Sequence, residues 1–577
     1  MRARVLSGPV LTLVLGACAA LPVIVAAVRA LHEGWQPVAD RGIIATRSYD
    51  VLSSHMPLVG QYSFAGSVTG KLTYSFGPML YWLLAPAARY GAPASFVLTM
   101  AAFNTGSVVC AVALARRRGG LWLAALAAAA IGLMCRSLAA NNFYDIWNPS
   151  AGLFPLLALA FVCWSLACGE YRLLPLAALL ASFELQCEDA FVPPALAALA
   201  IGLGGASLGW LRRRGKRPGP QQPRARSRGR WVWVAAALAV ALLCWTPPLV
   251  DQVSGRGNIG HVLAAAGERP SPLGPTVGVR AVVHTVGATP WWLTRPSNPF
   301  VRKSDVRRSA GATASISAAL ILGWLLLAIA LAVRRSRTDV VAGATLALAL
   351  CAAVFSIADA TPSTPPFLAE TLGYTLWSAT TVGMFTWLVA LWALLVLSGL
   401  GARLCRAGES LRDRLGGGAA RRWRSLALAA LAALAPAAAG GGVGAAAGEP
   451  DEHAFEFAAL REINARLGAV PRGHSVFLNA KLDGLITPLR PEITYELRRR
   501  GVRALGVGAY RRTGHWYERS EHPYDYIVWV YDNRRLPVRD ARVIAVAHIP
   551  KDGRQHTVEV AISPVRPGAR APRRRAA

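Results

Sequence analysis

Apolar runs of about 18 or more residues recur through the first three quarters of this chain, and the pattern changes only near residue 448. An α-helix needs about 20 apolar residues to cross a hydrocarbon layer of roughly 30 Å. The pattern therefore predicts a polytopic α-helical membrane protein. Eleven spans are expected, at about 8–29, 94–115, 121–140, 151–168, 173–187, 190–210, 231–250, 316–333, 341–357, 376–400 and 426–447. Residues 77–91 are also apolar, but only about ten precede Pro86, too few to cross. They are expected to form an interfacial or re-entrant helix.

Two long polar stretches interrupt the transmembrane part, residues 1–447, at 30–93 and 251–315. The second carries adjacent Trp291 and Trp292, expected at a membrane interface. Beyond the last span, residues 448–564 read as a small α/β domain. Helical spacing covers Phe455–Leu467 and Pro491–Arg500, and strand-like stretches cover His474–Asn479, Tyr524–Val530 and Arg542–His548. Residues 565–577 read as a disordered basic tail.

Composition agrees with the pattern. Of 577 residues, 54% are hydrophobic and only 16% charged, where a soluble domain carries about 25% charged. The net charge is +31, from 62 Lys and Arg against 31 Asp and Glu. Such an excess can signal nucleic acid, but here the Arg clusters at 116–118, 212–214 and 334–337 fall between spans. Orientation in a membrane accounts for them, so no nucleic-acid partner is implied. The same rule puts the N-terminus in the cytoplasm and the C-terminal domain outside the plasma membrane of a bacterial cell. The nine cysteines form no CxxC pair, which excludes a zinc or disulfide framework. Leu15–Cys18 reads LGAC, like a lipoprotein signal, but further spans make a lipid anchor redundant, and it reads as part of the first helix.

The acids collect on the expected outer side: Asp40, Asp50, Asp145, Glu188, Asp189 and Glu370. Ionisable groups at a membrane face need partners or a task. A cleft among them suits transfer of a group from a lipid-linked donor to an acceptor hydroxyl. A carboxylate would take the proton, and bases would steady the departing phosphate. Asp40 is the candidate base, or alternatively a solvated helix cap. Asp50 contacts either substrate or its own loop backbone. In the loop Asp145–Pro149, Asp145, Trp147 and Asn148 are candidates for substrate binding. The alternative is a helix start capped by Asn148 or Ser150, with Trp147 at the interface. Glu188 and Asp189 are either functional acids or a helix end facing water. His55 is a loop histidine or a ligand-binding one, and Lys71 meets either phosphate or headgroups.

Three stretches carry a resemblance: Arg47–Ser63 after PVADRG, the segment YSFGPMLYWLLAPAARYG from Tyr74 to Gly91, and the loop Asp145–Pro149. They resemble the GT-C class of membrane glycosyltransferases, of the protein-mannosyl and aminoarabinose transferase type, and an actinobacterial subset of membrane proteins. The likeness spans roughly residues 1–210. It implies inversion at the sugar carbon, a polyprenyl-phosphate sugar as donor, membrane lipids around the site and an acceptor in the cell envelope. It adds Tyr81 to the substrate-binding candidates. Some members need a divalent metal ion, but no spacing here defines a metal site. Two departures stand out: Ser75-Phe76 replaces the usual basic residue before the GP pair, and no second acid adjoins Asp40. A solute transporter or lipid flippase, or a non-catalytic scaffold, are the competing classes.

Overall fold

The computed structural model describes residues 8–214, 225–268, 271–294, 302–363, 366–399, 435–448, 450–481, 489–532, 540–551 and 553–565. Half of the basic segment 211–230, the segment 403–424, the first part of the expected span 426–447 and nearly all of the basic tail lie outside them. So does the side chain of Glu370.

Eight helices are long and apolar enough to cross a membrane among the described residues, so the chain is a membrane-embedded helical protein. The expected eleven is not reached by that count. One reason is that two expected spans form a single 43-residue stretch, Pro93–Cys135. The chain reverses within it. Gly119 and Gly120 leave helical geometry, and Asn104 Nδ2 donates to the Phe143 carbonyl at 2.9 Å. Along an unbroken helix, 39 residues would separate these groups by about 58 Å. Gly120 sits at φ 66°, ψ −160°, a region essentially closed to residues with a Cβ. Another reason is that Leu174–Cys187 has only 14 residues, yet it returns across the bundle. Its far end brings Glu188 to Asn148, while its near end follows a turn where Tyr171 Oη donates to the Ala206 carbonyl.

The two ends of the bundle differ in chemistry as the loops predict. At one end Arg117 and Arg118 pair with Glu170, and Arg337 pairs with Asp339. The opposite end gathers residues 34–78, 140–150, 188–191 and 251–267. The eight described cysteines are free.

The first helix, α1 (Gly8–Glu33), leads to α2 (Asp40–Tyr49). A two-stranded ribbon follows, β1 (Tyr62–Ser63) against β2 (Thr73–Tyr74), antiparallel. Then comes α3 (Met79–Tyr90), only 12 residues long. It lies between the bundle and the C-terminal domain, with Tyr495 Oη donating to the Ala88 carbonyl at 3.1 Å. Trp291 and Trp292 are not interface anchors, contrary to expectation. Both are buried; Trp291 stacks on His284 and donates to Asp305, which takes their aromatic area out of reach of lipid.

The C-terminal domain is a five-stranded sheet in the order β4-β3-β5-β7-β6. β3 (Ser475–Lys481), β4 (Arg503–Leu505) and β5 (Tyr526–Asp532) run parallel, and β7 (Arg554–Pro564) is antiparallel to β5 and to β6 (Arg542–Lys551). The helices Ala454–Arg466 and Arg490–Arg499 accompany it. Their positions follow the apolar periodicity; β4 and β7 were not expected. The Arg490–Arg499 helix seats directly on α2. A Cβ at Gly42 would meet the Glu492 nitrogen at 2.6 Å, so only glycine permits this approach.

Candidate functional site

Three of the expected site acids differ sharply in environment. Asp50 is fully buried. Arg498 Nε donates to its Oδ1 at 3.0 Å, Tyr517 Oη donates to its Oδ2 at 2.7 Å, and His55 Nε2 lies 2.9 Å from Oδ1. Burial opposes the charge, but the His55 hydrogen bond, the Arg47 and His55 charges and the Tyr517 hydroxyl outweigh it, holding the carboxyl below its usual range. His55 in turn stacks flat on Trp516, 4.2 Å between ring centres. Asp50 and His55 thus clasp the first polar stretch to the C-terminal domain and turn no carboxylate oxygen to solvent.

Asp145 is likewise enclosed. Arg41 grips it through Nε and Nη2, the latter at 2.7 Å, and the same Nη2 reaches Glu452 at 2.7 Å. The Trp147 backbone amide also donates to Asp145. Trp147 packs against Tyr374 and Trp377 under the Arg41 guanidinium. The capping alternative fails for a plain reason: the Asn148 amide donates to Glu188 and Ser150 accepts from Asn142, so neither side chain caps the helix.

Asp40 is different. It stands in the first turn of α2, where its charge suits the helix dipole. It follows Ala39, held at φ 55°, a strained position for a residue with a Cβ. Its side chain is 39% exposed and is paired with Arg512 of the C-terminal domain at 3.0 Å. Near it lies the Glu188–Asp189 pair. Asp189 accepts a 2.5 Å hydrogen bond from Ser63 Oγ. Burial first, then the Asp189 charge and in smaller part that of Asp40, push the Glu188 carboxyl well above its usual range. Glu188 is thus an acid biased toward its protonated form, near the more accessible Asp40. Asn148 Oδ1 and Asp189 Oδ1 are buried without a hydrogen-bond partner.

The remaining candidates fall around this cluster. Tyr81 is buried on α3 and donates to Gln61 at 3.0 Å. Lys71 is exposed on the ribbon. Residues that sequence reasoning missed come from the far end of the chain or the middle of it: Arg512, Arg498, Tyr517 and Arg256. Nothing in their local pattern marks them; only the fold brings Arg498, Tyr517 and Arg512 448 to 472 positions back to Asp50 and Asp40, and Arg256 182 positions back to Tyr74. Among the described residues no three His, Cys, Asp or Glu side chains converge as metal ligands do. Among the described outer acids, Asp40, Asp50 and Asp145 pair with arginines, Asp189 accepts from Ser63 and Glu188 accepts from Asn148. Neither a scan of protein-family models nor a search of curated proteins finds a match to this chain.

Proposed function

We propose that this chain is an integral membrane glycosyltransferase that moves a sugar from a polyprenyl-phosphate donor to a hydroxyl of an envelope acceptor. The observation that carries the reading is the contrast among the acids. Asp50 and Asp145 are buried in ion pairs, while Asp40 is half-exposed beside two further acids and at the mouth of an apolar bundle. Asp40 takes the acceptor's proton as its oxygen bonds to the sugar carbon. The carbon–oxygen bond to phosphate breaks on the opposite face, and its electron pair leaves with the polyprenyl phosphate. Inversion follows from that in-line geometry. Glu188, Asn148 and Asp189 offer hydrogen-bonding groups for the sugar hydroxyls. The sugar and acceptor are chosen by contacts beyond these.

The test is transfer by purified protein in lipid, offered a panel of polyprenyl-phosphate sugars. Wild type is expected to transfer or hydrolyse one of them, and Asp40→Asn to lose about 10²-fold or more of that rate. Full activity in Asp40→Asn removes Asp40 as base. One observation favours a transporter instead: Glu184, inside the bundle on Leu174–Cys187, has neither oxygen hydrogen-bonded, as in ion-coupled carriers. Solute flux in vesicles that Glu184→Gln abolishes, without any sugar transfer, would establish that class.

A further inference from the structure

The Asp40–Arg512 pair raises a difficulty for a base, since a carboxylate held by a guanidinium is a poor proton acceptor. The surroundings of Arg512 resolve it. Arg512 sits in the loop 508–514, bounded by Gly508 at φ 69° and Gly514 at φ 109°. The loop is fixed from both sides. Arg47 of α2 donates to the Thr513 carbonyl at 2.7 Å, and the Tyr510 amide donates to buried Glu518 at 3.2 Å. The arginine itself is left 45% exposed, so its backbone is anchored and its side chain is not.

Arg512 faces an aromatic surface. Its guanidinium lies 5.7 Å from the Tyr62 ring and 5.9 Å from the Phe64 ring. Tyr62 meets Tyr74 edge to face at 6.0 Å, and Arg256 covers Tyr74 at 5.0 Å while bonding its hydroxyl. Arg511 and Lys71 are exposed beside the same ribbon. Two separate parts of the chain thus put Arg512 and Arg256 against two tyrosines and a phenylalanine, and Asp40 is the acid paired with Arg512. Asp50 and Asp145 pair with arginines that are themselves largely buried. Arg512 is instead half-exposed beside aromatic rings, an arrangement that leaves its guanidinium open to a phosphate.

We infer that the 508–514 loop is a binding element for the phosphate of a lipid phosphate ester, the sugar-bearing donor and the polyprenyl phosphate it leaves alike, in which Arg512 exchanges Asp40 for the phosphate when that lipid binds. The inference rests on the transferase reading for its consequence: donor binding frees the base. Until a donor is present, Asp40 is occupied by Arg512. The same arginine then stays with the phosphate as it departs.

The experiment is equilibrium binding of a sugar-free polyprenyl phosphate to the full-length protein in phosphatidylcholine nanodiscs, with the uncharged polyprenol as control. Arg512→Ala is expected to weaken phosphate binding roughly 10- to 30-fold, Arg512→Lys to restore part of it, and neither to change polyprenol binding. Asp40→Asn is expected to bind the phosphate several-fold more tightly, because the arginine's other partner is gone. A merely structural ion pair predicts the opposite sign for Asp40→Asn. Unchanged affinity in Arg512→Ala, unchanged or weaker affinity in Asp40→Asn, or equal displacement by phosphatidylglycerol overturns the inference. Thermal midpoints of the variants show that each is folded. Phosphate binding with the expected pattern but no transfer from any donor keeps this subsite and removes the transferase reading. Asp40-dependent transfer with unaltered affinity in Arg512→Ala does the reverse.

Discussion

Two aspartates ten residues apart, Asp40 and Asp50, have opposite fates, and their difference is measurable as stability. Asp50 is enclosed with Arg498, Tyr517 and His55. Removing it leaves a guanidinium with little water to replace its partner. Asp50→Ala is expected to lose about 3 kcal/mol of stability, seen as a lower thermal midpoint and earlier proteolysis of the C-terminal domain. Asp40 shares a half-exposed pair with Arg512, where solvent screens the attraction. Asp40→Ala is expected to change stability by less than about 1 kcal/mol. Equal losses in the two variants would contradict this division. Sequence alone separates neither residue: both are loop acids beside arginines, and burial is decided by residues more than 440 positions away.

At the scale of elements, apolar length and periodicity find most of the long helices, because burial of a 20-residue apolar run dictates its conformation whatever it packs against, but miss α2 and the helices Asn258–Gly267 and Pro275–Val286 inside stretches that read as polar loops. The helices Ala454–Arg466 and Arg490–Arg499 lie within two residues of expectation. Short pieces escape. β4 has three residues and is a strand only because β3 lies beside it. β7 alternates acceptably but adjoins a basic, proline-containing end that masks it. The break inside Pro93–Cys135 was legible as Arg116–Gly120, where charge and two glycines meet between apolar runs. The structure adds how sharply it turns. Since Gly120 occupies a conformation closed to other residues, Gly120→Ala is expected to cost about 1–3 kcal/mol. Its readout is a lower melting temperature in lipid, with faster tryptic cutting at Arg116–Arg118. An unchanged midpoint would mean the hairpin reverses elsewhere.

For the whole molecule, the membrane part and the C-terminal domain are joined by buried charge, so their union depends on pH in two directions. Glu492 lies where the Arg490–Arg499 helix meets α2. Burial pushes its carboxyl up to about 8, against an opposing hydrogen bond from Asn464. The folded protein therefore holds a proton that the unfolded chain releases near 4.5. That contribution is complete below the unfolded value, falls as pH rises toward about 8, and falls no further above it. Asp50 acts in the other sense: its depressed value adds stability above the ordinary carboxylate range, lost only in acid. Glu492→Gln, which copies the protonated side chain, is expected to flatten the decline in thermal midpoint between pH 5 and pH 8. An identical slope in wild type and variant would assign the decline to other groups. Of this union the sequence displayed the two parts and the acids near their boundary, but none of the pairings, since each joins residues that no local pattern connects.

Arg41 touches Asp145 and, 411 positions along, Glu452. A ribosome adding about 5–20 residues per second needs about 20 to 80 s to travel between them. For that interval Asp50 is without Arg498 and Asp40 without Arg512. The chain thus completes this corner last, when its final fifth has been made. A nascent or truncated copy has the apolar bundle and the acids but not the cations that pair with them, so the two parts acquire their matched charges only when synthesis ends.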